Sequence, residues 1–353
     1  MQINNKTYTV ESVTSGHPDK ICDQISDAIL DECLSQDPKS RVAVETFGGH
    51  GLLVIGGEVT TKANFDAEEI ARNVYREIGY NNDLRVIVHI DKQSPDIALG
   101  VDTGGAGDQG IMYGYACNET QEFLPDALVK THLLAEGLEK LRRTNINYSW
   151  LRPDGKTQIT VENGKIKTVL VSTQHDKEVN YDFIRQEIIK GLILPIFNGD
   201  ISQINILVNP TGRFVQGGFE ADTGLTGRKI MVDTYGGLAP HGGGCFSGKD
   251  PSKVDRSAAY MARFAAKNIV ANGFAKECLV SVAYAIGKAE PLMVLAVDGE
   301  GKDLSELASR NFDFRPRAII EKLQLLRPIY NQTAKYGHFG KAGLPWEQII
   351  KIS

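Results

Sequence analysis

One glycine-rich stretch carries the densest set of chemically useful side chains in the sequence. It reads Pro-His-Gly-Gly-Gly-Cys-Phe-Ser-Gly-Lys-Asp-Pro-Ser-Lys-Val-Asp-Arg from Pro240 to Arg256. From Gly243 to Lys249 it fits the pattern G-x-x-x-x-G-K, in which glycines let backbone N–H groups approach phosphates and the lysine adds positive charge. We therefore expect a phosphate chain, such as a triphosphate, to bind here beside the N-terminus of the following helix.

This glycine-lysine loop differs from an ordinary P-loop in two respects. Asp250 follows the lysine, where a P-loop has the Ser or Thr hydroxyl that binds Mg²⁺, and residues 235–240 replace the usual buried strand. A P-loop NTPase is therefore disfavoured. A flexible glycine turn is the simplest alternative, but such a turn does not need Lys249, Lys253 and Asp255 in close succession.

A second group of reactive side chains lies near the N-terminus, in Gly16-His17-Pro18-Asp19-Lys20. It places an imidazole, a carboxylate and an ammonium at the first turn of a predicted helix, where an anion and a metal ion could both bind. Alone, Asp19 could equally be a partner of the helix dipole, and His17 a solvent-exposed cap.

Two glutamates interrupt apolar runs that are typical of strands. Glu45 lies in Val-Ala-Val-Glu-Thr-Phe (42–47) and Glu58 in Val-Ile-Gly-Gly-Glu-Val (54–59). Buried carboxylates need partners, so a cation, an amino-acid ammonium or an ion pair would each satisfy them. Spacing alone favours a plain ion pair.

Basic residues recur beside glycine turns in the segments 151–156, 209–214 and 222–229. Phe214 in the second segment could stack on a purine, although a single Phe after a strand is more often a core residue. The stretch Gly-Gly-Ala-Gly-Asp-Gln-Gly (104–110) is typical of a mobile loop with an acid, Asp108, at its mouth; a flexible linker is the alternative.

Length and composition exclude several classes of protein. The chain has 353 residues, 42% apolar and 24% charged, which is typical of a globular protein with two or three domains. The net charge of -5 argues against nucleic-acid or anionic-membrane binding. The first residues lack the apolar core of a secretory signal, and five scattered cysteines form no C-x-x-C pair. We expect a cytoplasmic protein with free thiols.

Hydrophobic periodicity predicts an α+β fold with an internal repeat. In the first third it predicts a helix over 18–36, a hairpin of strands 41–47 and 52–59, a helix opened by an Asp66/Glu69 capping box, and a buried strand over 84–90. The middle third repeats this order with a helix at 125–143, strands at 157–162 and 165–172, a helix at 181–191 and a strand at 204–208.

The last third matches except at its end, with a helix at 251–272, strands at 278–286 and 291–298, and helices at 303–311 and 315–325. Segments 7–13, 110–116 and 228–234 could supply leading strands. We therefore predict three pseudo-symmetric β-α-β-β-α-β units with helices on one face of a sheet, in domains 1–98, 105–216 and 218–353. Coincidence is the alternative, since hairpins and helices are common.

Taken together, the motifs resemble the S-adenosylmethionine synthetase family, also called methionine adenosyltransferases. The resemblance covers essentially the full length and the three-domain fold of that family. It rests on GHPDK (16–20), KQSPD (92–96), GAGDQG (105–110), LRPD (151–154), NPTGRF (209–214), LTGRK (225–229), GGGCFSGKD (242–250), YGHFG (336–340) and PWE (345–347).

The resemblance implies that ATP and L-methionine form S-adenosylmethionine by in-line attack of the methionine sulfur on C5′, after which the triphosphate is hydrolysed to diphosphate and phosphate. It implies a catalytic set of His17, Asp108, Lys156 and Lys249. ATP would be bound by His17, Asp154, Gly155, Lys156, Arg213, Phe214, Asp222, Arg228, Lys229, Cys245 and Lys249. Methionine would be bound by Glu58, Gln93, Asp222 and Lys253. Two Mg²⁺ ions would be bound by Asp19 and Asp255, and K⁺ by Glu45.

The resemblance also implies a homodimer with shared active sites, with a tetramer built as a dimer of dimers as the alternative assembly. The chain departs from familiar members in a shorter loop before Gly105, in Pro240 and Cys245, and in an end soon after Trp346; these departures concern gating and regulation. Two rival functions are a phosphotransferase that uses the same glycine-lysine loop, and a non-catalytic ATP-binding subunit.

Overall fold

The computed structural model describes residues 7–92 and 104–353. The first third contains β1 (Thr7–Val13), α1 (Pro18–Gln36), β2 (Arg41–Gly49), β3 (Leu52–Thr60), α2 (Ala67–Ile78) and β4 (Arg85–Asp91). The predicted capping residue is confirmed, because the Asp66 side chain accepts a hydrogen bond from the Glu69 N–H at 3.0 Å. A two-residue turn with positive φ at His50 and Gly51 joins β2 to β3, as the hairpin prediction requires.

The middle third contains β5 (Gly110–Cys117), α3 (Asp126–Thr144), β6 (Leu151–Glu162), β7 (Lys165–His175), α4 (Tyr181–Ile188) and β8 (Asn205–Val208). After α4 the chain continues in wider helical turns as far as Ile196. β6 and β7 are longer than predicted, since β6 already begins at Leu151 and β7 ends at His175.

The last third contains β9 (Gly224–Leu225), α5 (Ile230–Asp233), α6 (Val254–Ala271), β10 (Glu277–Tyr284), β11 (Met293–Asp298), α7 (Ser305–Asn311) and α8 (Pro316–Lys322). The predicted leading strand at 228–234 is wrong, because residues 230–233 form the helical turn α5. Three apolar residues are too few to distinguish a strand from a helix. Here the contact between Asp233 and the Lys20 ammonium accompanies the helical form.

The described strands form three sheets, in the orders β4-β3-β2-β9, β1-β6-β7-β8 and β11-β10-β5. Each sheet includes one strand from another third of the chain: β9 pairs with β2, β1 with β6 and β5 with β10, all antiparallel. The α+β class and the three-domain organisation are confirmed. The exchange of strands was not predicted, and the boundaries at 98, 105, 216 and 218 stay predictions.

Helices cover one face of each sheet. α1 packs on β2, α3 packs on β1 and β6, and α6 packs on β5 and β10. The opposite faces are open. Because β4 lies at the edge of its sheet, it is not the buried strand that its apolar run indicated: Ile87 and Val88, which point to opposite faces, are 40% and 43% exposed. Within the described ranges, no helix has the length and apolar character needed to cross a membrane.

Candidate active site

The first group of predicted site residues lies at the N-terminus of α1. His17 is the N-cap of this helix, and its Nδ1 accepts a hydrogen bond from the Asp19 N–H at 3.2 Å. Burial, assisted by Lys229, Lys156, Lys20 and Arg228, lowers the pKa of His17 to about 2. The imidazole is therefore neutral at physiological pH.

Asp19 binds a segment from the last third of the chain. Its carboxylate accepts hydrogen bonds from the Lys229 Nζ at 2.6 Å and the Leu225 N–H at 3.1 Å, and lies 3.6 Å from the Arg228 Nε. The Asp19 side chain is buried, whereas that of Arg228 is half exposed. The predicted metal ligand and two predicted phosphate-binding cations are thus brought together.

The exchanged strand β1 brings residues of β6 to the same place, because Val13 pairs with Lys156. Asp154 on β6 is buried, and its Oδ2 accepts a hydrogen bond from the Gly218 N–H at 2.8 Å. Its Oδ1 has no hydrogen-bond partner in the described residues, and burial raises the pKa of Asp154 to about 6. A Cβ at Gly155 would lie 2.9 Å from a backbone oxygen, so this position favours glycine.

Three further residues predicted to bind ATP lie on the connection between β8 and β9. Phe214 is fixed by its backbone, which exchanges hydrogen bonds with His175 at 2.9 and 3.1 Å, and its ring is half-buried. Arg213 and Asp222 are exposed. The Asp222 charge is among those that raise the pKa of Asp154, which indicates that the two carboxylates are close.

The second group lies on the glycine-lysine loop and the start of α6. The loop runs alongside β2. The Val44 N–H donates to the Gly248 carbonyl at 3.1 Å, and the backbone of Lys249 pairs with that of Ala43 in an isolated β-bridge. A Cβ at Gly248 would lie 1.9 Å from the Val44 oxygen, so only glycine permits this approach. These contacts favour an ordered loop over the flexible-turn alternative.

Lys249 and Asp255 form an ion pair, with 2.7 Å between Nζ and Oδ2. Although burial opposes the charge, the Asp255 carboxylate raises the pKa of Lys249, which keeps it an ammonium. Burial raises the pKa of Cys245 to about 11, which keeps it a neutral thiol. A Cβ at Gly244 would lie 2.1 Å from Asp255, so the loop backbone packs directly on this carboxylate.

Glu45 and Glu58 lie on the open face of the first sheet, on neighbouring strands. Glu45 is exposed and Glu58 is half-buried. The expectation that both are buried carboxylates is wrong, because each points away from the face that α1 and α2 cover. Lys253, which precedes α6, donates to the buried Asp250 at 2.5 Å.

Asp108 lies immediately before β5, and its exposed carboxylate accepts a hydrogen bond from the Gln109 N–H at 2.7 Å. The preceding residues are well anchored: Ala106 is buried and exchanges backbone hydrogen bonds with Gly287 and Lys288 at 2.8 Å. These bonds anchor the segment at Ala106, and the mobile-loop interpretation stays a prediction for the rest of it. Gln93 lies outside the described residues, as do residues 94–96 of its motif.

Metal ligands of the expected chemistry are present, but no complete cage is. Asp19 and Asp255 supply carboxylate oxygens, the ligands that Mg²⁺ prefers, and Mg²⁺ often uses only one or two carboxylates together with substrate phosphates. No group of three or more His, Cys, Asp or Glu side chains is gathered for a metal within residues 7–92 and 104–353. This donor set fits an ion that shares its coordination with a bound phosphate.

Sequence reasoning missed two residues that contact these groups. Asp23 accepts a hydrogen bond from the Gly227 N–H at 2.8 Å, and Asp233 pairs with Lys20. The spacing of Lys20 and Asp23 on one helix face was the visible signal for the first. Asp233 gave no signal, because its segment was predicted to be a strand.

Comparison with known proteins identifies the family. Residues 5–95, 103–214 and 216–348 match the N-terminal, central and C-terminal domains of S-adenosylmethionine synthetase, respectively. The chain is 50% identical to the S-adenosylmethionine synthase of Mesoplasma florum over 372 aligned residues, which cover 98% of each protein. The chain therefore belongs to the S-adenosylmethionine synthetase family, the methionine adenosyltransferases, as its motifs indicated.

Proposed function

We propose that this protein synthesises S-adenosylmethionine from ATP and L-methionine by in-line attack of the methionine sulfur on C5′ of ATP. The observation that carries the proposal is the convergence of Arg228 and Lys229 on Asp19 beside a helix N-terminus. Cations, a carboxylate and a positive helix end together match a triphosphate with bound metal.

The neutral His17 suits contact with the leaving triphosphate. Because Nδ1 accepts the Asp19 N–H, the ring proton lies on Nε2, which can donate a hydrogen bond to a phosphate oxygen. The sulfur of methionine is neutral and nucleophilic, so no general base is needed. What the site must stabilise is the negative charge that grows on the triphosphate as its bond to C5′ breaks.

Lys156, Arg228, Lys229 and Lys249 supply the positive charge for this purpose. A cation fixed in a site that excludes water stabilises developing negative charge more strongly than it would in water. The same residues would keep the triphosphate bound after transfer, in position for hydrolysis to diphosphate and phosphate. Asp154, Gly155, Arg213, Phe214 and Cys245 would orient the nucleoside and phosphates, with the Phe214 ring against adenine.

Carboxylates would surround the methionine and the new sulfonium. Glu58 and Asp222 would bind the methionine ammonium and Lys253 its carboxylate, together with Gln93. Asp108 would lie near the reacting sulfur, where its negative charge favours the sulfonium product. Lys253 is kept in place by Asp250, which is itself buried.

Asp19 and Asp255 would hold two Mg²⁺ ions, and Glu45 would hold K⁺. When bound, Mg²⁺ neutralises phosphate charge. The existing ion pairs of both aspartates with lysines show that each carboxylate is aimed at a region of positive charge.

A second copy of the chain would complete each site. The charged groups that act on His17 are Lys229, Lys156, Lys20 and Arg228, whereas Lys249 has Cys245, Asp255 and Glu45 as its neighbours. The open face that carries Glu45 also exposes Phe47 and Ile87, 41% and 40% respectively. Exposed apolar faces of this kind are typical of interfaces, and a two-fold dimer would bring two such faces together.

We therefore propose a homodimer with shared sites, with a dimer of dimers as the alternative assembly. We expect it in the cytoplasm, since its five cysteines are unpaired. Neither nucleic acid nor a membrane is an expected partner.

Product analysis tests the proposed function. The protein is incubated with ATP, methionine, Mg²⁺ and K⁺, and the products are identified by mass spectrometry. S-adenosylmethionine with diphosphate and phosphate supports the proposal. ADP formation would instead indicate a phosphotransferase, and absence of turnover a non-catalytic ATP-binding subunit.

A further inference from the structure

A completely buried lysine, Lys20, follows Asp19 on α1, next to the proposed phosphate site. Lys20 has no exposed surface, and its ammonium contacts the carboxylates of Asp23, at 2.9 Å, and Asp233. Although burial opposes the charge, these two carboxylates raise the pKa of Lys20 above its ordinary value. The three side chains form a charged cluster, the Lys20 cluster, within the protein interior.

The Lys20 cluster joins α1 to the segment that carries Arg228 and Lys229. The Asp23 Oδ1 accepts the Gly227 N–H at 2.8 Å, and Asp233 lies on α5, which follows Lys229 directly. Together with the contacts of Leu225, Arg228 and Lys229 with Asp19, these contacts tie residues 225–233 to the first two turns of α1.

Two of these contacts follow a regular spacing. Asp19 and Asp23 are four residues apart on a helix, so they lie on the same face one turn apart. Their partners Leu225 and Gly227 are two residues apart, where β9 ends in a turn with positive φ at Gly227. The two carboxylates therefore accept alternate N–H groups of residues 225–227.

Stability alone does not account for this arrangement. A buried ammonium with two carboxylates incurs a large desolvation cost, and apolar residues of similar volume often serve stability equally well. His338 also contacts the cluster. Its N–H donates to the Asp233 carbonyl at 2.9 Å, and its ring lies 3.8 Å from the Asp233 carboxylate. Residues that hold active-site side chains in position need to be fixed by contacts of this kind themselves.

We propose that Lys20, Asp23 and Asp233 are positioning residues that set the distance between His17 with Asp19 on α1 and the phosphate-binding Arg228 with Lys229. This inference rests on the proposed function. None of the three side chains would touch substrate; they act through the backbone of residues 225–233.

The test is binding of tripolyphosphate with Mg²⁺ to the full-length protein, measured by calorimetry for wild type, Asp233→Asn and Asp23→Asn. Each variant leaves Lys20 with one carboxylate, so the buried ammonium keeps a partner of opposite charge and the fold is expected to persist. Simple electrostatics predicts equal or tighter anion binding, because a negative charge has been removed. The positioning role predicts the opposite: affinity falls roughly tenfold to a hundredfold, since displacements of about 1 Å have such effects, while KM for methionine stays within twofold.

Glu347→Gln is the matched control. Glu347 is a buried carboxylate paired with Arg263 and Lys267, so the substitution also removes one buried negative charge. We expect it to leave tripolyphosphate affinity within twofold of wild type. Unchanged affinity in Asp233→Asn and Asp23→Asn, or an equal loss in Glu347→Gln, would overturn the inference. Failure of the wild-type protein itself to bind tripolyphosphate would count against the proposed function as well.

Discussion

The Lys249 ammonium lies 2.7 Å from the Asp255 carboxylate, and the Lys229 ammonium lies 2.6 Å from that of Asp19. In both pairs the proposed function assigns the lysine to phosphate and the aspartate to a metal ion. Each group therefore has a partner of the right charge before substrate binds, and each would exchange it for a ligand of the same charge. Such pairing keeps the side chains in position at little cost in reorganisation.

Removal of either aspartate should impair the enzyme more than removal of Glu45. Asp19 and Asp255 would hold ions next to the triphosphate, whereas Glu45 would hold an ion that orders the site. We expect Asp19→Asn and Asp255→Asn to abolish measurable turnover and Glu45→Ala to retain part of it, in assays with saturating Mg²⁺ and K⁺. If folded Glu45→Ala is as inactive as Asp19→Asn, this division of roles is wrong.

Lys249→Ala should lose tripolyphosphate hydrolysis. The substitution removes a charge that would bind phosphate and leaves Asp255 without its ion-pair partner. We expect hydrolysis of added tripolyphosphate to fall roughly 10²- to 10³-fold, the range for loss of one electrostatic contact in an active site. Lys253→Ala is the control. Because Lys253 would contact methionine and not the triphosphate, this variant should hydrolyse tripolyphosphate normally. Normal hydrolysis by Lys249→Ala would contradict the assignment.

Gly244→Ala tests the packing of the loop on Asp255. The added Cβ would lie 2.1 Å from Asp255, a distance that real contacts do not reach, so the carboxylate or the loop must move. We expect this small substitution to reduce turnover nearly as much as Asp255→Asn and to weaken the dependence of activity on Mg²⁺ concentration. Wild-type kinetics in the variant would show that this close approach has no role in the site.

The sequence predicted most elements because their periodicity is long and regular, as in α1 and α6, or because a turn residue marks them, as Gly51 does. It did not predict that β1, β5 and β9 leave their own third of the chain. Strand pairing depends on contacts that are distant in sequence, and an alternating pattern fits any partner equally well.

In the candidate site, too, the sequence predicted individual residues but not the contacts between them. Motifs identified Asp19, Lys229, Lys249 and Asp255 because their residue types and glycine neighbours suggest phosphate chemistry. The contacts among them, and the contact of Asp233 with Lys20, follow from the tertiary structure alone. The burial predicted for Glu45 was wrong because an apolar strand does not reveal which of its faces is covered.

Lys341 gives a prediction for stability and pH. Burial and the nearby Lys20 lower the pKa of Lys341 from 10.5 to about 7, and its ammonium donates to the carbonyls of Gln332 and Lys335. Between pH 7 and 10.5 the unfolded chain binds this proton more strongly than the folded protein does, so stability from this group rises with pH. Below pH 7 both states are protonated and the contribution is constant.

We therefore expect the melting temperature of wild type relative to Lys341→Met to rise as the pH increases from 7 to 10. The comparison between the two proteins removes contributions from other titrating groups. A difference that is constant over this range, or that falls, would show that the lysine has an ordinary pKa.

The central claim is that residues of two chains form one active site, with His17 of one chain facing Lys249 of the other. Inactive His17→Ala and Lys249→Ala chains are denatured and refolded together, so that about half of the dimers are mixed. Every mixed dimer should have one wholly native site, and the mixture should regain roughly a quarter of wild-type activity under two-fold assembly. If both residues instead serve the same chain's site, every site carries a lesion, and activity will stay at the level of the single variants.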